Sequence, residues 1–154
     1  MIFATIGTHC QFDRLVKVLD KIRFKADEFV VIQLTEDSYK PQYALWCTQL
    51  NASELDQFYK GARIIISHAG AGAIITALKY KKPIIVVPRQ KRFGEHVDDH
   101  QLELARELSK EGLVTATTVG SLEKAMKICR KPRKVGERKL GLIKALRESL
   151  EEFA

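Results

Sequence analysis

The stretch from Arg63 to Gly72 reads Arg-Ile-Ile-Ile-Ser-His-Ala-Gly-Ala-Gly, and it decides the fold. Its β-branched run predicts a strand over Arg63–Ser67 that is buried on both faces. The small residues that follow predict a tight loop, and a helix is predicted over Ala71–Tyr80. Pro83 ends this helix because the residue before a proline disfavours helical backbone. A strand, a short loop and a helix in this order form part of a βαβ unit.

The same alternation extends in both directions along the chain. Strands are predicted at Ile2–Ile6, Phe29–Gln33, Ala44–Gln49, Arg63–Ser67, Ile84–Val87 and Leu113–Thr118. Helices are predicted at Asp13–Ile22, from a Ser53 cap to Gly61, at Ala71–Tyr80, at Asp98–Glu111 before Gly112, and from a Ser121 cap to about Cys129. No Asn-Gly hairpin signal occurs. The pattern therefore predicts an α/β protein with a parallel, doubly wound sheet.

Length and composition favour one soluble domain. The chain has 154 residues, of which 45% are hydrophobic and 29% charged. No apolar run reaches the roughly 18–20 residues that span a bilayer, and no signal peptide is apparent at the N-terminus. Three scattered cysteines (Cys10, Cys47 and Cys129) have no metal-ligand spacing. They are typical of free thiols in a reducing compartment, so we expect a cytoplasmic protein.

Positive charge is concentrated near the C-terminus. Between Glu123 and Arg147 the chain has ten lysines and arginines against two acidic residues, whereas the whole chain carries +7. Such a run attracts nucleic acid or anionic lipid, or it is an ordinary solvated face. We expect a main domain over residues 1–130, then a basic linker and an amphipathic helix over 131–154. The apolar seam of that helix would pack on its own domain or on a partner.

In doubly wound sheets, ligands bind outside the carboxyl ends of the strands. Three loops lie there: Gly7–Gln11, Ser67–Gly72 and Pro88–Val97. Gly70 and Gly72 would let a diphosphate approach the helix N-terminus. Alternatively, they form a small-residue turn that allows tight packing, because Ile75 replaces the third glycine of a dinucleotide fingerprint. Gly7-Thr8-His9 would likewise bind a phosphate or an acceptor hydroxyl, or form a plain turn.

The segment from Arg89 to Gln101 is the densest polar stretch of the chain. Its cations suit phosphates, and its carboxylates and amides suit sugar hydroxyls. His96 and His100 have the i, i+4 spacing of a zinc protease motif, but Val97 stands where that motif needs glutamate. Ser67 and His68 are not expected to form a nucleophile pair, since sequence neighbours diverge at a strand end. We predict no metal site.

Three sets of motifs together resemble one family. The first is Phe3-Ala4-Thr5-Ile6-Gly7-Thr8-His9 with Phe12-Asp13-Arg14-Leu15, and the second is Ile66-Ser67-His68-Ala69-Gly70-Ala71-Gly72. The third joins Lys82-Pro83-Ile84-Ile85-Val86-Val87-Pro88-Arg89 to Glu95-His96-Val97-Asp98-Asp99-His100-Gln101-Leu102-Glu103-Leu104-Ala105. These motifs resemble the C-terminal half of glycosyltransferase family 28. They look most like its small stand-alone subunits, such as PssE-like exopolysaccharide subunits and the catalytic subunit of the dolichol-linked UDP-N-acetylglucosamine transferase.

The resemblance implies the Rossmann-like, donor-binding half of a GT-B glycosyltransferase. It implies an inverting enzyme without cofactor that takes sugar from a UDP-sugar, such as UDP-N-acetylglucosamine. The acceptor would be a sugar linked to polyisoprenyl diphosphate, held by a membrane-anchored partner subunit. The chain would therefore be peripheral at the cytosolic membrane face, through its partner. Without this partner, a homodimer is expected.

The resemblance also assigns residues. His9 is the candidate catalytic base. Donor-binding residues would be Gly7, Thr8, Ser67, His68, Gly70, Ala71, Gly72, Thr76, Arg89, Glu95, His96, Asp99, His100 and Gln101. Thr76 departs from the family pattern, which often has a glutamate there for the ribose, and threonine cannot make a carboxylate's bidentate contact.

Two other functions remain open from the sequence. A non-catalytic module that binds sugar nucleotides would have the same fold without turnover. A nucleic-acid-binding protein would explain the positive charge and would bind oligonucleotides with steep salt dependence. The basic run lacks interleaved aromatic residues, however, which disfavours binding of single strands. We therefore expect no nucleic-acid partner.

Overall fold

A computed structural model describes residues 1–7, 10–25 and 28–130. The strands are β1 (Ile2–Thr5), β2 (Val30–Gln33), β3 (Leu45–Cys47), β4 (Ile64–Ser67), β5 (Ile84–Val86) and β6 (Thr115–Ala116). The helices in these ranges are α1 (Asp13–Lys25), α2 (Ala52–Gly61), α3 (Ala71–Lys79), α4 (His100–Lys110) and α5 (Leu122–Ile128). The predicted C-terminal helix, like Thr8 and His9, lies outside the described residues.

All six strands form one parallel sheet in the order β3-β2-β1-β4-β5-β6. This confirms the predicted α/β class and the doubly wound sheet. From β1 the chain proceeds outward through β2 to β3, and it then returns to the centre at β4. Each βα crossover is right-handed in nearly all proteins, so the reversal of direction between β1 and β4 places helices on both faces.

A hydrophobic core lies on each face of the sheet. One contains α1 and α5 residues, among them Leu15, Leu19 and Leu122. The other contains Tyr59 of α2 and Ile74 of α3, along with residues of α4. The central strand β4 is buried along its whole length, as predicted. Burying each of its isoleucines stabilises the fold by about 1.5–3 kcal/mol of transfer free energy.

Some predicted boundaries are wrong for local reasons. The outer strands β3 and β6 are shorter than predicted, because each pairs with one neighbour only. Helix α4 begins at His100 rather than Asp98, because the Asp98 carboxylate accepts the backbone N–H of His100 at 3.1 Å. Gly112 follows α4 with φ +69°, which confirms the predicted glycine stop.

Of the two predicted helix caps, one is at the wrong residue. Ser53 lies inside α2, whose N-cap is Asn51. The Asn51 side chain accepts the N–H of Glu54 at 3.0 Å, and the Glu54 carboxylate accepts the N–H of Asn51 at 2.8 Å, which is a capping box. Ser121 does occupy the N-cap position of α5, but its side chain makes no capping hydrogen bond. Among the described helices, none is long and apolar enough to cross a bilayer.

Candidate functional site

The site lies where β1 and β4, the two central strands, end side by side. In a parallel sheet this reversal of strand order is where ligands bind. Gly7 follows β1 with φ +79°, a left-handed conformation that favours glycine. Ser67 is the last residue of β4, and His68 and Gly70 follow it. The first two predicted loops therefore meet at the carboxyl ends of the two central strands.

The imidazole of His68 lies between the two glycines. A Cβ atom on Gly7 would stand 2.8 Å from Cε1 of His68, and one on Gly70 would stand 2.2 Å from its Nε2. Neither position therefore accommodates a side chain unless the imidazole moves. Gly70 serves to make room for His68, a reason that the sequence did not reveal.

His68 is uncharged at neutral pH. Burial, followed by the positive charge of Arg89, lowers the pKa of His68 to about 4, although its interaction with the Thr5 backbone opposes this. The Oγ atom of Ser67 lies 3.4 Å from Nδ1 of His68. The prediction that these neighbours diverge is therefore wrong, because His68 folds back over the strand end toward Gly7 and Gly70.

The N-terminus of α3 opens beside this imidazole. Its N-cap residue Gly70 offers no side chain, and the first turn of α3 contains no acidic residue. The first N–H groups of a helix have no partner within the helix and carry a partial positive charge. A Cβ on Gly72 would meet nothing within 4 Å, so there is open space beside the Gly72 backbone. This geometry suits an anion such as a phosphate or diphosphate.

Thr76 lies one turn further along α3. Its hydroxyl donates to the carbonyl of Gly72 at 2.9 Å. The hydroxyl proton is therefore already used within the helix, and only the oxygen remains to accept a hydrogen bond from a ligand.

Arg89 follows β5 and faces inward. Its side chain is 3% exposed, and Nη2 donates to the carbonyls of Ile6 and Cys10. Burial lowers the pKa of Arg89, which the neighbouring Cys10 and Glu95 partly offset. The guanidinium thus fixes the loop after β1. Its Nε atom is buried and makes no hydrogen bond to the residues that the structure describes.

Glu95 and Gln101 hold the third loop in place. Both oxygens of Glu95 accept from Arg14, at 2.9 and 3.0 Å, and one also accepts the N–H of Gln90 at 3.1 Å. Oε1 of Gln101 accepts the N–H of Arg89 at 3.0 Å. Both side chains were predicted to contact the donor, whereas both carboxylate oxygens of Glu95 and Oε1 of Gln101 here bind protein groups.

Sequence reasoning gave Arg14 no individual role. Its guanidinium forms the paired contact with Glu95 and lies 4.0 Å from the centre of the Phe93 ring. No local pattern joins residues that stand 81 positions apart. The two residues belong to the first and the third set of family motifs, and this shared membership is the only sequence signal that relates them.

The loop after β5 and the start of α4 bring one acidic residue, Asp98, together with two histidines. Asp98 binds Nδ1 of His96 at 3.0 Å and Nδ1 of His100 at 2.8 Å. The hydrogen bond that His100 donates to the Asp98 carboxylate raises the pKa of His100 and lowers the pKa of Asp98. The neighbouring Asp99 accepts the backbone N–H of Lys91 at 3.0 Å.

These histidines do not form the zinc protease arrangement. Helix α4 begins at His100, so His96 precedes it and the two rings do not share a helix face. Within residues 1–7, 10–25 and 28–130, no group of three or more His, Cys, Asp or Glu side chains is arranged to hold a metal ion. His9 and Thr8 stay predictions, because they lie outside the described residues.

Known proteins match this chain in sequence. The family model described as "Glycosyltransferase family 28 C-terminal domain" matches residues 1–148. The human protein named UDP-N-acetylglucosamine transferase subunit ALG13 is 32% identical over 123 residues, which is 72% of this chain and 10% of that protein. A namesake from Cryptococcus neoformans is 46% identical over 61 residues, or 38% of this chain and 28% of its own length. The chain thus spans far less than half of either relative.

Solved structures share the fold. The NMR solution structure of ALG13 superposes with a TM-score of 0.60 at 16% identity, covering 87% of this chain and 89% of that one. The glycosyltransferase SnogD from Streptomyces nogalater gives a TM-score of 0.58 at 20% identity, covering 82% of this chain and 33% of that chain. The fold is therefore the Rossmann-like fold found in GT-B glycosyltransferases.

Proposed function

Because this chain belongs to glycosyltransferase family 28, as a C-terminal-domain protein, we propose that it is the donor-binding subunit of a UDP-sugar glycosyltransferase. UDP-N-acetylglucosamine is the proposed donor, since the matching relatives are named for its transfer. These relatives are also named as subunits, which supports the proposal that a second chain completes the enzyme.

One observation carries the proposal: the uncapped N-terminus of α3 opens beside Gly7 and His68 at the carboxyl ends of β1 and β4. The unpaired N–H groups of the first turn would bind the diphosphate of the donor. As the bond between the sugar and the diphosphate breaks, negative charge develops on the leaving UDP. Fixed N–H dipoles stabilise such charge in the transition state.

His68 fits this role as a neutral hydrogen-bonding group. At neutral pH its imidazole has one N–H and one lone pair. This single N–H is the group that hydrogen-bonds the Thr5 backbone, so it donates to a phosphate oxygen only by exchanging that partner, and it adds no charge to the site. Arg89 contributes indirectly, because it fixes the carbonyls of Ile6 and Cys10 on the loop that faces the ligand.

The acceptor and the partner are finer proposals. We propose a polyisoprenyl-diphosphate-linked sugar as acceptor, a membrane-anchored subunit that holds it, and a location at the cytosolic membrane face. His9 is the proposed base for the acceptor hydroxyl. If the base belongs to the partner instead, His9→Ala will retain transfer activity in the assembled enzyme.

Ligand-dependent stabilisation tests the donor site. We expect UDP-N-acetylglucosamine at 100 times its dissociation constant to stabilise the chain by about 2.7 kcal/mol, with a clear rise in Tm. UDP-glucose, UDP-galactose, GDP-sugars and dTDP-sugars serve as comparisons. Transfer after addition of the partner distinguishes an enzyme from a binding module. Absence of stabilisation by every nucleotide, in both wild type and Thr76→Glu, would contradict a donor site formed by this chain.

A further inference from the structure

Exposed aromatic side chains collect on α1 and on the segment 39–46 beside it. Phe24 is 66% exposed and Tyr43 is 51% exposed, and their ring centres lie 4.6 Å apart. Trp46, in the edge strand β3, is 43% exposed. Phe24 and Tyr43 thus form a contiguous exposed apolar pair, and contiguous exposed apolar surface marks sites of contact with proteins or membranes.

Three exposed lysines lie on the same two segments as these rings. Lys17, Lys21 and Phe24 follow one another along α1 at helical spacing, and all three are exposed. Nζ of Lys40 lies 4.9 Å from the centre of the Trp46 ring, and Nζ of Lys17 lies 5.4 Å from the Tyr39 ring. We call these exposed rings and lysines, residues 17, 21, 24, 40, 43 and 46, the aromatic–lysine surface.

The acidic residue between the lysines faces inward. Asp20 is 4% exposed, and its carboxylate accepts the backbone N–H groups of Gln42, Tyr43 and Ala44 at 2.7 to 2.9 Å. These hydrogen bonds attach the segment to α1 and compensate part of the negative charge of the Asp20 carboxylate. Residues 42–44 are therefore fixed against α1, and the exposed side chains at positions 17, 21 and 24 include no acid.

We propose that the aromatic–lysine surface lies directly on an anionic lipid bilayer. Tryptophan and tyrosine favour the headgroup level of a membrane, and lysines are attracted to anionic lipids there. An α-helix with an exposed cationic and aromatic face is typical of interfacial binding. Lysine, by contrast, is depleted at protein–protein interfaces, which disfavours an acidic protein as the occupant.

This inference goes beyond the proposed function. The surface shares no residue with the site at Gly7, His68 and Gly70, so loss of lipid binding and loss of UDP-sugar binding are separate results. It would give the chain its own contact with the membrane, in addition to the contact proposed through a partner subunit.

The chain contains a single tryptophan, which makes Trp46 a reporter of this surface. We expect the full chain to float with vesicles of phosphatidylcholine and phosphatidylglycerol, but not with phosphatidylcholine alone. On binding, the emission of Trp46 will shift to shorter wavelength and will be quenched by brominated lipids. Lys17→Glu together with Lys21→Glu will lower the partition coefficient about tenfold or more.

The basic run from Glu123 to Arg147 could itself bring the chain to anionic vesicles. Flotation without a change in Trp46 emission, or no flotation at all, therefore overturns the proposal. Phe24→Ser with Tyr43→Ser will reduce binding, whereas the control Ile128→Ser, which removes a 62% exposed side chain on α5, will not. Equal loss in both variants, with circular dichroism unchanged, also overturns it.

Discussion

At the residue scale, the side chains around the site divide into those that hold the loops and those that remain open to a ligand. Arg89 and Glu95 are buried and bind protein groups, although their charge first suggested contacts with the donor. The backbone of Gly72 instead faces open space. The groups that can approach a diphosphate are therefore mainly N–H groups and the neutral His68.

Gly72→Ala tests how closely a ligand approaches α3. The added methyl has room in the unliganded fold, and alanine is favoured over glycine within a helix by about 1 kcal/mol. We expect unchanged or higher stability but about tenfold weaker UDP-N-acetylglucosamine binding by calorimetry, equivalent to about 1.4 kcal/mol. Gly120→Ala, also in open space, is the matched control. Equal affinity in the two variants would argue against diphosphate binding at this helix.

His68 predicts a pH dependence of stability. Its pKa is about 4 in the folded chain and 6.5 as the unperturbed value, so the unfolded chain takes up a proton first as pH falls. Stability is therefore lost below about pH 6.5, by about 2 kcal/mol between pH 7 and pH 5. Urea denaturation at pH 7 and pH 5 measures this loss. We expect the loss in His68→Gln to be about 2 kcal/mol smaller than in the wild type. If the free energy of unfolding changes equally with pH in both proteins, His68 has the same pKa in the folded and the unfolded chain.

At the element scale, the structure joins segments that are distant in sequence. Arg14 of α1 binds Glu95 of the loop after β5, and Arg89 of the same loop binds carbonyls after β1. These contacts fix the first and third loops relative to each other. The helices, in contrast, begin and end through local hydrogen bonds such as the capping box of α2.

A double-mutant cycle tests the Arg14–Glu95 contact. Glu95 is 8% exposed at its side chain and Arg14 is 30% exposed, so solvent weakens the pair only partly. We expect Arg14→Met and Glu95→Gln to show a coupling free energy of about 1–2 kcal/mol in urea denaturation. A coupling within about 0.5 kcal/mol of zero would show that the loops are held by other contacts.

Helix α2 offers a direct comparison of two caps. Asn51→Ala removes the side chain that accepts the N–H of Glu54 and will cost about 1 kcal/mol of stability. Ser53→Ala, at the position first predicted as the cap, will be neutral or slightly stabilising, because alanine is the better helix former. Thermal denaturation of both variants measures this difference. A larger cost for Ser53→Ala would reverse the assignment.

At the scale of the whole molecule, the alternation of strands and helices predicts the parallel sheet, and with it the carboxyl ends of the strands as the place to look for a site. The periodicity of apolar residues and the glycine stop after α4 are local signals, so they could be read from the sequence. The position of the His68 side chain between Gly7 and Gly70 could not be read from the sequence, because it depends on β1 and β4 lying next to each other in the sheet. The inward turn of Arg89 was hidden for the same reason: its carbonyl partners lie about 80 positions away.

An amide NMR titration with UDP-N-acetylglucosamine tests the central claim most directly, because it locates the donor. The donor site proposed at the switch between β1 and β4 predicts that the largest shift changes fall on Gly7 and on Gly70 to Ala73, with smaller ones after β5. Binding confined to the basic residues from Lys124 to Arg130, or no shift changes at saturating ligand, would contradict the account.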